Sequence, residues 1–366
     1  MMSEQEIIYK LALSFIPNIG AVNAKNLISY LGGIDKVFSA TKSQILKIPG
    51  IGEKKYNDIR NNDALLLAEQ EFERIKKLDL DVIFYFDAAY PQRLKQQNDC
   101  PLLLYASGNI DFNPKRTVAV IGTRSPSIYG QSLCEKIVDD LLQFNVTIIS
   151  GLAYGIDTIA HRSAIKNKMQ TIGILGNGLN AVYPSSNHSL AQKMKLNGGL
   201  ISEYPIETIP DRENFPRRNR IIASMSDVVI VVESARKGGS FITAEFANNY
   251  SKDVFAIPGR LTDVVSAGCN HLIKTHKAHL YTSIEDIAYI NRWDAKPKSK
   301  QLSLLLDLTE EEKTIYQILK EEKVVGMDTL LYKTQLQLSI LSSTLINLEF
   351  NGLIKSLPGK KYILGA

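Results

Sequence analysis

Short apolar runs alternate with amphipathic stretches through the middle of the chain. Thr117–Ile121, Val146–Ile149, Gln170–Leu175, Leu200–Ser202, Asp227–Val232 and Val254–Ala256 read as strands. Gly130–Phe144, Ile156–Asn167, His188–Asn197 and Thr243–Tyr250 read as helices between them. That rhythm predicts an α/β domain, a Rossmann-like doubly wound parallel sheet with helices on both faces. Asp81–Phe86 and Pro101–Ala106 read as two strands ahead of it, with Tyr90–Leu94 between them.

The flanks follow a helical period. Ile16-Pro17-Asn18-Ile19-Gly20 and Ile48-Pro49-Gly50-Ile51-Gly52 repeat one phrase, each set between helical stretches: Ile7–Phe15 and Ala24–Tyr30, then Ser43–Leu46 and Lys54–Ile59. This is the helix-hairpin-helix pattern in tandem. Glycine permits the tight turn with positive φ, and the turn leaves N–H groups free at a helix start for a phosphate. Contact with a nucleic-acid backbone and a packing or protein-interaction module are both open readings, since the first hairpin carries little charge. Ala64–Leu78 continues as an amphipathic helix. Beyond a basic stretch, Glu310–Glu321, Gly326–Tyr332 and Ser339–Asn351 predict three helices. Leu353–Leu357 and Lys361–Leu364 predict a hairpin around Pro358-Gly359, which completes a winged helix. Its third helix has no Lys or Arg across Ser339–Glu349, so protein interaction or an accessory DNA role is expected of it. The expected division is a helix-hairpin-helix, SAM-like domain over 1–79, an extended Rossmann domain over 80–290, a linker over 291–304 and a winged helix over 305–366.

Composition narrows the function. A net charge of +5 on 366 residues is modest, so any nucleic-acid site must come from local clustering. The three cysteines are far apart and suggest no disulfide framework, which fits a reducing cytoplasm. No signal peptide and no membrane span are read.

Clustering is found at Phe215-Pro216-Arg217-Arg218-Asn219-Arg220, between two strands, where a parallel sheet turns its loops toward a ligand crevice. A guanidinium there suits phosphate; a basic helix start packed against acids is the plainer reading. The loops after the strands are small and polar: Gly122-Thr123-Arg124, Ser150-Gly151, Gly176-Asn177-Gly178 and Lys237-Gly238-Gly239-Ser240. Small residues let a ligand approach the backbone, and helix starts favour anions. A dinucleotide cofactor is not expected. No second glycine follows Gly122 before Gly130, and Ser150 stands where an acid would hold a ribose.

These motifs carry a resemblance. Gly122-Thr123-Arg124, Ser150 to Asp157 with Ala160-His161, Tyr183-Pro184, Ser202 to Pro205, Phe215 to Arg220, Gly239-Ser240 with Thr243-Ala244, and Ile257-Pro258-Gly259 resemble the DprA/Smf family of DNA-processing proteins. The resemblance is close over about residues 80–285. It implies a non-enzymatic protein without a cofactor that binds single-stranded DNA, forms a homodimer and loads the recombinase RecA during natural transformation. Carried over by motif, the strand would meet Gly122, Thr123, Arg124, Ser150, Gly151, Arg217, Arg218, Asn219, Arg220, Lys237, Gly238, Gly239, Ser240 and Thr243. Phe215 would offer a stacking face or anchor the arginines from below. Gly238 departs from the family's Ser-Gly-Ser form.

Three other constellations hold chemically suggestive residues. Asp157 and His161, four apart on one helix, read as supports of the fold rather than a catalytic pair, and Glu203 and Glu245 likewise. Cys269, His271, His276 and His279 have zinc-ligand types, but their spacing matches no familiar closed site. Gly238-Gly239-Ser240 with Thr243 and Glu245 faintly resembles a motif of nucleotide phosphoribohydrolases, which makes that enzyme class the rival reading.

Overall fold

The computed structural model describes residues 3–60, 63–293, 308–322, 324–351 and 353–364. Residues 294–304 of the expected linker lie outside them. Two compact units result, Met1–Ala295 and Lys296–Ala366.

In the first unit, helices α1 (Glu4–Phe15), α2 (Ala21–Leu31), α3 (Ile34–Ser39), α4 (Lys42–Leu46), α5 (Glu53–Arg60) and α6 (Ala64–Leu78) come first. The hairpins need positive φ one residue earlier in each phrase than its final Ile-Gly: it falls on Asn18 (φ 59°) and Gly50 (φ 80°). Asparagine tolerates that region better than most side chains, so the first copy keeps its turn without glycine. Asn18 Nδ2 also donates to Asp58 Oδ2 (2.9 Å), which ties the first hairpin to α5.

The sheet comprises β1 (Asp81–Phe84), β2 (Leu103–Asn109), β3 (Thr117–Ile121), β4 (Thr147–Ser150), β5 (Thr171–Leu175), β6 (Gly198–Ser202), β7 (Val228–Val231), β8 (Asp253–Ala256) and β9 (His279–Leu280). Their order is β1-β2-β6-β5-β4-β3-β7-β8-β9. From β6 through β9 all pairs are parallel; β2 runs antiparallel to both β1 and β6. The central strands β3 to β7 are buried along their whole length, as parallel strands between helices must be. Val118, Val120, Val228 and Ile230 face one core with Ile137 and Val138; Ala119, Ile121, Val229 and Val231 face the other with Ile221 and Ile222. The connecting helices are α7 (Gln92–Lys95), α8 (Ile128–Leu141), α9 (Ile156–Lys166), α10 (His188–Met194), α11 (Asn214–Ser224), α12 (Gly239–Asn249), α13 (Ala267–Lys274) and α14 (Ile284–Ile290).

The helical layer is packed onto the sheet rather than tethered beside it. Leu11, Ile16, Leu27 and Phe72 share one core with Phe84, Leu102, Leu103, Tyr105 and Ile206. Polar contacts cross the same boundary. Buried Glu71 accepts from Ile206 N (2.7 Å), and Lys10 Nζ donates to Asp87 Oδ1 (2.8 Å).

The second unit has helices Glu310–Glu322, Met327–Thr334 and Leu338–Phe350. Its wing has three strands, not the expected two. Val324–Gly326 pairs with Lys361–Leu364, which also pairs with Ile354–Leu357. The three-residue edge strand is too short to show a period in the sequence.

Candidate nucleic-acid interface

β3 and β7 are neighbours whose chains then wind in opposite directions, so a crevice opens at their carboxyl ends. The loops after them touch there: Thr123 N donates to Glu233 O (2.7 Å), and Ser127 N to Glu233 Oε2 (2.9 Å). The loop after β4 enters from the other side. Buried Asp157 organises it, accepting at Oδ2 from Gly151 N (3.1 Å) and Ala153 N (3.3 Å). Gly155 opens α9 with φ 75°, and a Cβ there would lie 2.3 Å from Thr123 O, so only glycine serves.

The arginine segment differs from its expected placement. Phe215–Arg220 is not a loop. It forms the first turns of α11, and a helix distributes consecutive residues around its circumference. Arg217 is exposed while Arg218 and Asn219 are buried. Arg218 Nη1 donates to Gly151 O (2.7 Å) and to Ile174 O, and Nε to Asn219 Oδ1 (3.1 Å). Burial pulls its pKa down and the nearby Asp157 charge pulls it back; the guanidinium stays charged at neutral pH. Asp157 is pushed up by burial and held back by Arg218. Asn219 Nδ2 donates to Gly239 O (3.2 Å), which fixes the start of α12 against α11. Arg220 is paired with Glu203, as the plainer reading of the segment has it.

The glycine loops also serve a purpose the sequence does not reveal. A Cβ on Gly151 would lie 2.7 Å from Arg218 Nη2, and one on Gly176 would lie 2.9 Å from the Phe215 ring. The space is taken by side chains of α11 rather than left open for a ligand.

What remains is a shallow cleft with a free volume of only about 10 Å³, lined by Arg124, Gly151, Ala153, Tyr154, Tyr183, Pro184, Phe215 and Arg218. Arg124 is exposed, with its guanidinium 5.9 Å from the Phe215 ring centre. Tyr183 and Phe215 lie 5.5 Å apart, tilted by 33°. Tyr154 and Tyr183 are 48% and 42% exposed, large values for aromatic rings in a cleft. Neither was among the expected contacts. Tyr154 and Tyr183-Pro184 stand inside the quoted motifs, but no spacing rule assigns them to the arginines.

The other expected residues fall into two sets. Gly122 and Thr123 are half-buried in the loop after β3, and Lys237 and Gly239 are exposed at the start of α12. Gly238 precedes that helix without a side-chain cap, so N–H groups of its first turn are not taken by a capping side chain. Ser150, Ser240 and Thr243 are buried and bonded within the chain: to Val120 O (2.7 Å), Ser234 Oγ (2.8 Å) and Gly239 O (3.2 Å). Arg124 and the first turn of α12 together offer positive charge and directed N–H donors, a combination that holds anions.

The remaining candidates have structural partners. His161 is buried, with Nδ1 2.7 Å from Thr171 Oγ1, and burial drives its pKa down to about 3. Glu245 is held by Lys277 Nζ (2.8 and 3.0 Å). Among the described residues no group of three His, Cys, Asp or Glu side chains is placed to hold a metal, and no helix is long and apolar enough to cross a membrane.

Residues 81–291 match the family model of DNA recombination-mediator protein A, and residues 299–360 that of the DprA winged helix domain. The chain belongs to the DNA recombination-mediator protein A family. Protein Smf of Synechocystis is 30% identical over 99% of both chains. The DNA processing protein DprA of Streptococcus pneumoniae is 38% identical over 65% of this chain and 81% of its own. Its crystal structure superposes with a TM-score of 0.62 at 31% identity, covering 81% of this chain and 99% of that one. The family's DNA processing protein A from Helicobacter pylori, whose structure is described for its single-stranded DNA binding mode, gives 0.54 at 29% identity over 59% and 98%. Membership accords with the doubly wound sheet and the C-terminal winged helix.

Proposed function

We propose that the crevice binds single-stranded DNA through its phosphates, with little sequence preference, and that the protein acts as a homodimer that passes the strand to RecA during transformation. One observation carries the first part of this reading: exposed Arg124 stands in one cleft with Tyr154, Tyr183 and Phe215. A guanidinium takes a phosphate, and aromatic faces take unpaired bases of any identity. A duplex has its base faces already stacked and gains only the first. The family relationship, and the binding mode described for the Helicobacter relative, support the same choice. In this reading Arg124, Arg217, Lys237 and the Gly239–Ser240 backbone meet phosphates. Arg218, Asn219, Arg220, Ser150 and Thr243 hold the surfaces that do so. No step in this reading calls for a catalytic group; Glu245, the acid of the hydrolase alternative, is paired with Lys277 (2.8 Å).

The test is a salt-resolved titration of single and double strands of equal length. Single strands should bind tighter, and if about four phosphates are neutralised the log–log salt slope should be about −3. Arg124→Ala should weaken single-strand binding by about 1.5–3 kcal/mol, the range for a charge-assisted hydrogen bond, with the melting temperature unchanged. Duplex binding as tight as single-strand binding would sink the reading.

A further inference from the structure

A second groove, of about 340 Å³, runs between α9 and α10 on the flank of the sheet domain. Arg162 and Lys166 line it from α9 and Lys193 from α10, together with Ser186 and Ser189. All five are exposed. Arg162 and Lys166 are four apart and share one helix face, as do Ser189 and Lys193 on α10.

Two features of this patch favour an anion. No acidic side chain lines it. None of its three cations takes part in an ion pair among the described residues, whereas Lys10, Arg74, Arg93, Arg220 and Lys277 each do. Three cations held along one groove repel one another, even though Lys166 and Lys193 sit in the last turns of their helices, where the dipole favours a cation. A polyanion laid between them removes that repulsion.

The groove follows the crevice closely along the chain. Tyr183 and Pro184 line the cleft with Arg124, and Ser186, two residues on, lines the groove. The segment is pinned: Asn187 Nδ2 donates to Leu152 O (3.0 Å) and Thr158 Oγ1 (2.8 Å). α9 starts at Ile156, beside the crevice. At 1.5 Å per residue, Arg162 and Lys166 lie about 9 and about 15 Å further along its axis. That is a graded series of cations leading away from the first site.

We propose that a bound single strand continues past Tyr183 and lays two or three further phosphates in the α9/α10 groove. The inference rests on the reading of the crevice as the primary strand site. It predicts a dependence on strand length that the crevice alone does not give.

The experiment compares the full-length protein with the triple variant Arg162→Gln, Lys166→Gln, Lys193→Gln on oligothymidines of about 6 and about 20 nucleotides, across a salt series. On the long strand the variant should lose about tenfold in affinity at low salt, and its slope should be shallower by about 2, at roughly 0.7 per lost phosphate contact. On the short strand it should match the parent. A variant with Lys36→Gln, Lys115→Gln and Lys136→Gln carries the same charge loss elsewhere and should match the parent on both. An unchanged long-strand slope, equal weakening on both lengths, or the same change in the charge-matched control would each overturn the proposal. Arg124→Ala on the short strand separates the two ideas. If it weakens short-strand binding while the groove variant leaves the long-strand slope unchanged, the crevice stands and the groove falls. If it leaves short-strand binding intact, the crevice reading itself has failed.

Discussion

Arg124 and Arg218 line the same cleft, yet their removal should be felt in different measurements. Arg124 is exposed and supports no core, so its loss belongs in the binding curve. Arg218 is buried, donates to carbonyls of the β4 loop and β5, and lies beside the buried carboxylate of Asp157. Arg218→Ala would strip Asp157 of its countercharge and leave two carbonyls without donors. It should cost about 3 kcal/mol of stability in urea unfolding. A loss below about 0.5 kcal/mol would show that the guanidinium is dispensable to the fold. His161 offers a test by pH. Burial lowers its folded pKa from the ordinary 6.5 to about 3, so between those values the unfolded chain binds the extra proton. Its contribution is complete above about pH 6.5 and is lost as pH falls toward 3. Asp157 and Glu203, raised by burial, act with the opposite sign, so the informative quantity is a difference. The wild type should lose more stability than His161→Gln between pH 7 and about pH 5; parallel curves would contradict the buried neutral imidazole.

At the scale of elements, α11 determines the site. Its sequence is one basic run, but helical geometry sends Arg217 to solvent, Arg218 into the sheet edge and Arg220 to Glu203. The apparent density of phosphate ligands in the sequence is thus divided between binding and support. The helical layer of α1–α6 has a comparable double character. Removing residues 1–79 would expose Phe84, Leu102, Leu103, Tyr105 and Ile206, all buried in the shared core. A fragment spanning 80–290 should therefore melt at least about 10 °C below a fragment spanning 1–293, since several buried side chains at about 1.5–3 kcal/mol each are returned to water. Equal melting temperatures by calorimetry would mean that the layer is an independent domain. In the winged unit, Leu338, Ile340, Ile346 and Phe350 are exposed on the third helix, in accord with its lack of Lys and Arg.

For the whole molecule, the expectation is a division of labour between a primary strand site and a tethered accessory unit. Deleting residues 294–366 should leave affinity for a short oligonucleotide within about twofold. On a long one the deletion should cost more only if the winged helix touches the strand, because a weak tethered site then acts at high effective concentration. Paired titrations of the two chains on both lengths measure this. A large loss on the short strand would place a primary contact in the winged unit.

The periodicities were legible without a structure because they follow from local rules. Branched apolar runs alternating with helical stretches fix a parallel sheet, and a repeated Pro-x-x-Gly phrase fixes two hairpins, as backbone sterics and burial demand of any chain with that pattern. Ala64–Leu78 and Thr117–Ile121 fall where the pattern puts them. The motifs and their order sufficed for the family. What the sequence could not assign was which member of each motif faces outward. Arg217, Arg218 and Arg220 are one residue type within four positions, and only the packing of α11 against β5 and α12 separates them. The glycines after β4 and β5 carry no mark of what fills their space; Arg218 and Phe215 arrive there from more than thirty residues away. Tyr154 and Tyr183 join Arg124 through three different loops. Local structure is written in neighbours along the chain, whereas a site at the edge of a sheet is assembled from residues that only the tertiary fold makes neighbours.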